Sequence, residues 1–305
     1  MIWIVLTMTV SATVGAIFAH RKPHTAEVSA GRIMNVVLWG FIPPVLFFNL
    51  VHFHLTAKVG AALGLAYVGN FIVLGIAFVF ARYVFTLTRP QMGALMIGAL
   101  MGNTAYLGYP FVSAALGTDA LPQAISYDIL VSVPMMLIVA FSIGAAYGTH
   151  AETPRERIKS YFTKNPLLFA AALALVAPES LSPQWAVDAS HVLVFAILPL
   201  GFFAVGIVMW RESEDDKLGF PPPLTAPVAV TVLLRLTVVA GFLLLMDRWV
   251  MDIPDAYVIE AAMATGVNNL LIANNYGLDR KLVASAIIWS TMVVAVAGLV
   301  VEFLP

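Results

Sequence analysis

Of the 305 residues, 61% are hydrophobic and only 11% are charged, less than half the roughly 25% of ordinary soluble domains. That much apolar surface exceeds what one soluble core of this size can hide, and a membrane-embedded bundle is the class that fits. The 16 basic and 17 acidic residues leave a net charge of −1 and no footprint for nucleic acid, and the lack of cysteine excludes disulfides, thiolate nucleophiles and cysteine-ligated metals.

A membrane-crossing helix takes about 20 mostly apolar residues. Ten such stretches follow in chain order: 2–19, 33–52, 60–81, 92–116, 124–147, 165–181, 185–209, 226–246, 255–277 and 282–303. They are too long for strands and lack the alternation of a barrel. The sixth is short and bounded by Pro166, Pro178 and Pro183. Linkers are short; the longest are 148–164 and 210–225. The second carries Glu212, Glu214, Asp215 and Asp216 and reads as a solvated turn. His52 and His54 flank one end of the second stretch, but no third ligand accompanies them and no metal site is expected.

Charge in the loops sets an orientation. No basic region precedes the first stretch, whereas Arg21, Lys22 and Arg32 follow it, which predicts an uncleaved first helix with its N-terminus outside. Thirteen basic residues then fall in one set of alternate loops and two, Lys58 and Arg248, in the other. With ten crossings both termini lie outside, in the periplasm if the membrane is a bacterial inner membrane.

The halves echo each other. Pro44, Phe47 and Phe48 are matched by Pro199, Phe202 and Phe203, and Gly117 and Asp119 by Gly277 and Asp279. The expected units are residues 1–150, a cytoplasmic linker 151–164, and residues 165–305. Five crossings per half is odd, so the second copy runs inverted, as in many secondary transporters whose site lies where the repeats meet.

Polar residues concentrate in the fourth and ninth stretches. In the fourth, Gly102-Asn103-Thr104 and Gly108-Tyr109-Pro110 interrupt a helix at mid-membrane, because proline removes a donor and glycine lets the backbone depart from helical geometry, and Tyr106 between them joins the candidate binding residues. Freed backbone groups must face protein or a wet cavity, and paired half-helix ends suit a carboxylate. The ninth carries Glu260, Thr265, Gly266, Asn268, Asn269, Asn274 and Asn275. Asn268 and Asn269 lie near its middle. Glu260 reads as a turn below the outer surface. Asp128 in the fifth is a coupling or orienting carboxylate or a structural one. Arg235 in the eighth is a counter-charge for an anion or a side chain snorkelling to the cytoplasmic face.

The run from Gly102 to Pro110 resembles the first crossover motif of the auxin efflux carrier family, which includes plant auxin exporters and bacterial malonate and malate carriers. Ala262, Gly266, Ala273 and Tyr276 are similar to the family's second crossover, and Asn165 and Pro166 to the opening of its second half. The family's second crossover proline falls at Ala264, so Gly266 would have to allow any break there.

The resemblance implies an all-α membrane protein. Ten transmembrane helices would form two inverted five-helix repeats, with helices 4 and 9 broken and crossing, a fold shared with bile-acid symporters and sodium/proton antiporters. Helices 1, 2, 6 and 7 would form a dimerising scaffold. Helices 3–5 and 8–10 would form a transport domain moving by an elevator mechanism. A small carboxylate would meet Asn103 and the half-helix ends, with no cofactor.

Other readings are weaker. A sodium- or proton-coupled symporter or antiporter of the same fold is the main alternative, although the adjacent mid-membrane acids of an antiporter are missing and only Asp128 keeps proton coupling open. An intramembrane aspartyl protease would need Asp128 and Asp279 to share a proton, but Asp279 adjoins Arg280 and Lys281 at the surface. Metalloprotease and serine-hydrolase motifs do not occur.

Overall fold

In a bilayer each backbone amide must find its partner inside the protein, and the apolar runs manage this as helices. The computed structural model describes residues 2–53, 56–149, 166–215 and 221–303, and no strand occurs among them. The elements are α1 (Ile2–Arg21), α2 (Pro23–Leu50), α3 (Ala57–Val84), α4 (Arg89–Leu100), α5 (Thr104–Gly108 continuing through Tyr109–Leu116) and α6 (Thr118–Tyr147). They are followed by α7 (Pro166–Val176), α8 (Gln184–Asp215), α9 (Ala226–Trp249), α10 (Asp255–Ala261), α11 (Asn268–Tyr276) and α12 (Arg280–Phe303). Among the described residues seven of these, α1, α2, α3, α6, α8, α9 and α12, are long and apolar enough to cross a membrane.

The remaining five are short for two different reasons. α4 and α5 divide the fourth predicted stretch between them, and α10 and α11 divide the ninth, each pair separated by unwound chain. α7 stops ahead of Pro178, and the chain turns through Glu179–Leu181 before α8 begins. α2 starts at Pro23, ten residues before its predicted apolar run. Proline suits a first helical position, and the exposed His24 and Arg32 hid this polar first part from a reading based on apolar residues.

Two hydrophobic clusters divide much of the interior. The larger gathers buried residues of α3, α4, α6, α9, α10, α11 and α12, with Val205 and Met209 of α8. The second joins α2, α5, α7 and α8 to the first half of α6 and to Ala256 of α10. α1 lies against α8 so closely that a Cβ at Gly15 would strike the Phe203 carbonyl and one at Gly206 the Ala12 carbonyl. Small residues allow such backbone approach in lipid, where no hydrophobic force drives helices together. Polar ties join α2 to the start of α8: Asn49 Nδ2 donates to Ser190 Oγ at 2.9 Å, and His191 Nε2 lies 3.1 Å from Asn49 Oδ1. His52 is engaged by Ser182, with the carbonyl and hydroxyl oxygens both 3.0 Å away.

Loops join in two groups. Lys58 at the start of α3 pairs with Asp252 ahead of α10; its hydrogen bond and charge hold the Asp252 carboxyl below the usual carboxylate range. At the opposite ends of these helices Arg89 Nη2 donates to the Ala146 carbonyl (2.5 Å), Thr149 N–H to Tyr276 (2.8 Å) and Asp279 N–H to Pro90 (3.3 Å). The basic linker residues Arg155, Arg157, Lys159 and Lys164, together with Asn165, His54, Asp216 and Lys217, lie outside the described residues, as do the side chains of Glu212, Glu214 and Asp215.

Candidate functional site

α4 ends where Met101 turns to extended backbone, and α10 ends at Ala261. The two unwound segments then meet antiparallel, with Gly102 opposite Thr265. Asn103 N–H donates to the Ala264 carbonyl (2.7 Å) and Gly266 N–H to the Met101 carbonyl (2.9 Å). A side chain at Gly266 would bring its Cβ to 2.7 Å from the Gly102 carbonyl, so these rungs form only with glycine there. The break at Ala264 needs no proline because other groups hold it open. Thr265 N–H donates to Ser290 Oγ on α12 (2.9 Å), and the Thr265 hydroxyl donates to the Gly98 carbonyl (3.1 Å).

α5 opens with a wide turn, in which Gly108 N–H reaches back five residues to the Asn103 carbonyl (3.1 Å). Single turns of this π type recur at functional sites. Pro110 follows in the first turn of the regular helix, where its missing N–H leaves no bond unmade. The Thr104 hydroxyl donates to Asp128 Oδ1, and the Tyr109 hydroxyl donates to Oδ2 at 2.7 Å. Asp128 is thus a buried brace that ties α6 to the start of α5. Tyr106 packs its ring against α8 at Gly201.

Asn103 sits at the centre, 5% exposed, and its side-chain amide makes no hydrogen bond among the described residues. From the other broken pair, Asn269 donates to the Met101 carbonyl at 3.3 Å, and its own carbonyl oxygen is buried without a partner. Asn268, one residue earlier, points away: it is exposed and reaches only the Met136 sulfur at 3.9 Å. Asn274 and Asn275 are exposed as well.

Two ionisable residues lie deeper than the sequence suggested. Glu260 is not solvated below the surface: it is 0% exposed, neither carboxyl oxygen has a partner, and it packs on Gly108. Arg235, 2% exposed, turns inward and not toward the cytoplasmic face. Its Nε donates to Met263 (2.9 Å), Nη1 to Leu100 (3.0 Å) and Nη2 to Ala261 (2.9 Å) and Glu260 (3.4 Å), all backbone carbonyls.

The crossover therefore gathers Asn103, Thr104, Gly108, Pro110, Gly266 and Asn269, with Asp128, Glu260 and Arg235 around it. Tyr106 sits at its edge and Asn268 stands apart. The sequence reading named Tyr109 and Thr265 only as members of the two polar stretches, without their partners, and it missed Ser290, which no linear signal marks. A surface depression of about 380 Å³ lies away from the crossover, beside Arg82, Arg89 and Tyr147.

The chain is similar to known transport proteins. It is 22% identical to a protein of Methanocaldococcus jannaschii named as an uncharacterized transporter, over 97% of this chain and 96% of that protein. A stretch of 101 residues, 33% of this chain and 24% of the relative, is 29% identical to the protein-export membrane protein SecD of the same organism. The model of the family described as membrane transport protein matches residues 2–165. With more than half its length matched, and with the broken fourth stretch inside that match, the chain belongs to the membrane transport protein family, that of the auxin efflux carriers.

Proposed function

We propose that the chain is a secondary carrier of small organic anions, auxin-like acids or dicarboxylates, and that the crossover is its site. One observation carries this reading. The unwound segments leading into two half-helices, α5 and α11, pair with each other, and Asn103, a 5% exposed residue in one of them, has a side-chain amide that makes no hydrogen bond among the described residues. The N-terminal ends of the half-helices present partial positive charge, which favours a carboxylate, and the amide offers the donors that would orient it. No covalent chemistry is required.

The architecture that supports this is ten crossings in two inverted repeats. The loop contacts favour that count: Lys58 meets Asp252, His52 meets Ser182, and the loops at residues 89, 149 and 279 meet one another, so each contact joins loops of one parity. In this arrangement helices of residues 2–53 and 166–215 form the scaffold, and the rest form a transport domain that carries the crossover across by an elevator motion. A homodimer held through the scaffold, in a cell inner membrane with both termini outside, completes the reading.

The test is counterflow of labelled small carboxylates (malonate, malate, pyruvate, indole-3-acetate) into liposomes holding the purified protein. At least one acid should exchange, and Asn103→Ala should slow it by about tenfold or more, the equivalent of one lost charge-assisted hydrogen bond. Unchanged exchange in folded Asn103→Ala would remove the crossover from the site.

A further inference from the structure

The Arg235 guanidinium lies where a transporter built on broken helices would hold a metal cation. Its hydrogen bonds go to Leu100, Glu260, Ala261 and Met263, the last carbonyls of α4 and α10 and the unwound chain just beyond. These are the groups a helix end leaves without intrahelical donors. Carbonyls of unwound backbone and half-helix C-terminal ends are the oxygens that coordinate sodium in carriers of this construction. Here nitrogen donors of the protein take them up.

Three observations favour a built-in cation over an ordinary structural arginine. First, every hydrogen bond that Arg235 makes among the described residues goes to a backbone carbonyl, and no carboxylate comes within ion-pair distance of it there, although the buried Glu260 carboxyl group acts on its charge from further away. Second, the charges match. Each helix C-terminus carries about half a negative charge, so two together amount to about one, which a single guanidinium offsets. Third, the backbone makes room for it: a Cβ at Gly102, the centre of the crossover, would collide with the guanidinium.

We infer that Arg235 is a resident substitute for the coupling cation, occupying the cation position at the crossover so that the carrier binds its anion without sodium. The inference rests on the reading of the crossover as an anion site. With the carbonyls of the two C-terminal ends already holding a cation, no sodium ion is needed there for the crossover to receive an anion.

The experiment measures thermal unfolding of the detergent-purified full chain, wild type and Arg235→Ala, in choline, sodium or potassium chloride, each with and without guanidinium chloride at about 10 mM, a concentration far below denaturing levels. Wild type should unfold at the same temperature in all of them. Arg235→Ala should unfold earlier in choline and recover by several degrees with guanidinium or sodium, because the vacated carbonyls again find a cation. A sodium-dependent rise in wild type overturns the proposal, as does an Arg235→Ala protein that unfolds like wild type and responds to no cation. Arg235→Lys, which keeps a compact charge but loses the planar fork, should fall between the two.

If Arg235→Ala yields no folded protein, carboxylate counterflow by wild type decides. Equal rates within about twofold in sodium and choline support the inference, and a tenfold sodium requirement sinks it. Absence of counterflow for every acid would instead strike the organic-anion reading, while the unfolding temperatures would still judge the cation position.

Discussion

Gly108 lies against the Glu260 carboxyl group, and a Cβ at 108 would take the space of the carboxyl oxygens. Gly108→Ala is therefore expected to lower the unfolding temperature by several degrees, from an overpacking penalty of about 1–3 kcal/mol. In a Glu260→Ala background the same substitution should be milder, because the obstructing group is gone. Equal losses in both backgrounds would mean that the two residues are not in contact. Asp128 shows the other side of residue-scale packing. It accepts from Thr104 and Tyr109 together, and this satisfies a carboxylate that would otherwise be costly to bury. The sequence offered Thr104 and Tyr109 as part of one motif, and Asp128 as an isolated acid. Nothing in a linear pattern joins residues that far apart, and the same holds for Arg235 and the Leu100 carbonyl.

At the scale of elements, the fourth stretch was readable as broken because Gly102, Gly108 and Pro110 act locally: each changes what its own backbone can do. The ninth was not, because Ala264 is a good helix former. Its break depends on Ser290, Thr265 and the rungs to residues 101 and 103, which come from other elements. Glu260 was misplaced for a related reason: depth along a helix was counted from its end, but α10 stops just beyond it and buries it. The contact of α1 with α8 belongs to this scale too. Gly15→Leu or Gly206→Leu should force the two helices apart and lower the unfolding temperature by several degrees, whereas Gly31→Leu, with open space beside it, should not. Equal effects at all three positions, followed by thermal scanning, would remove close packing as the explanation.

For the whole molecule, the lack of any cysteine makes crosslinking a clean probe of which parts move together. Lys58 and Asp252 touch within the proposed transport domain, and Tyr106 and Gly201 touch across its boundary with the scaffold. A crosslink through Lys58→Cys and Asp252→Cys should leave counterflow intact. A crosslink through Tyr106→Cys and Gly201→Cys should stop it, with recovery on reduction. Full transport with the second crosslink in place would exclude a rigid elevator. The rungs between the two unwound segments have one further consequence. They put a fragment of sheet-like pairing inside the proposed transport domain, so in an elevator motion its amides would carry their partners with them. In deuterated buffer the Asn103 and Gly266 amides should thus keep their protons equally long whichever side the carrier faces, while exchange at the scaffold boundary tracks the cycle. The travelling site would behave as a sealed capsule, and the slow clock of transport would be read at its walls.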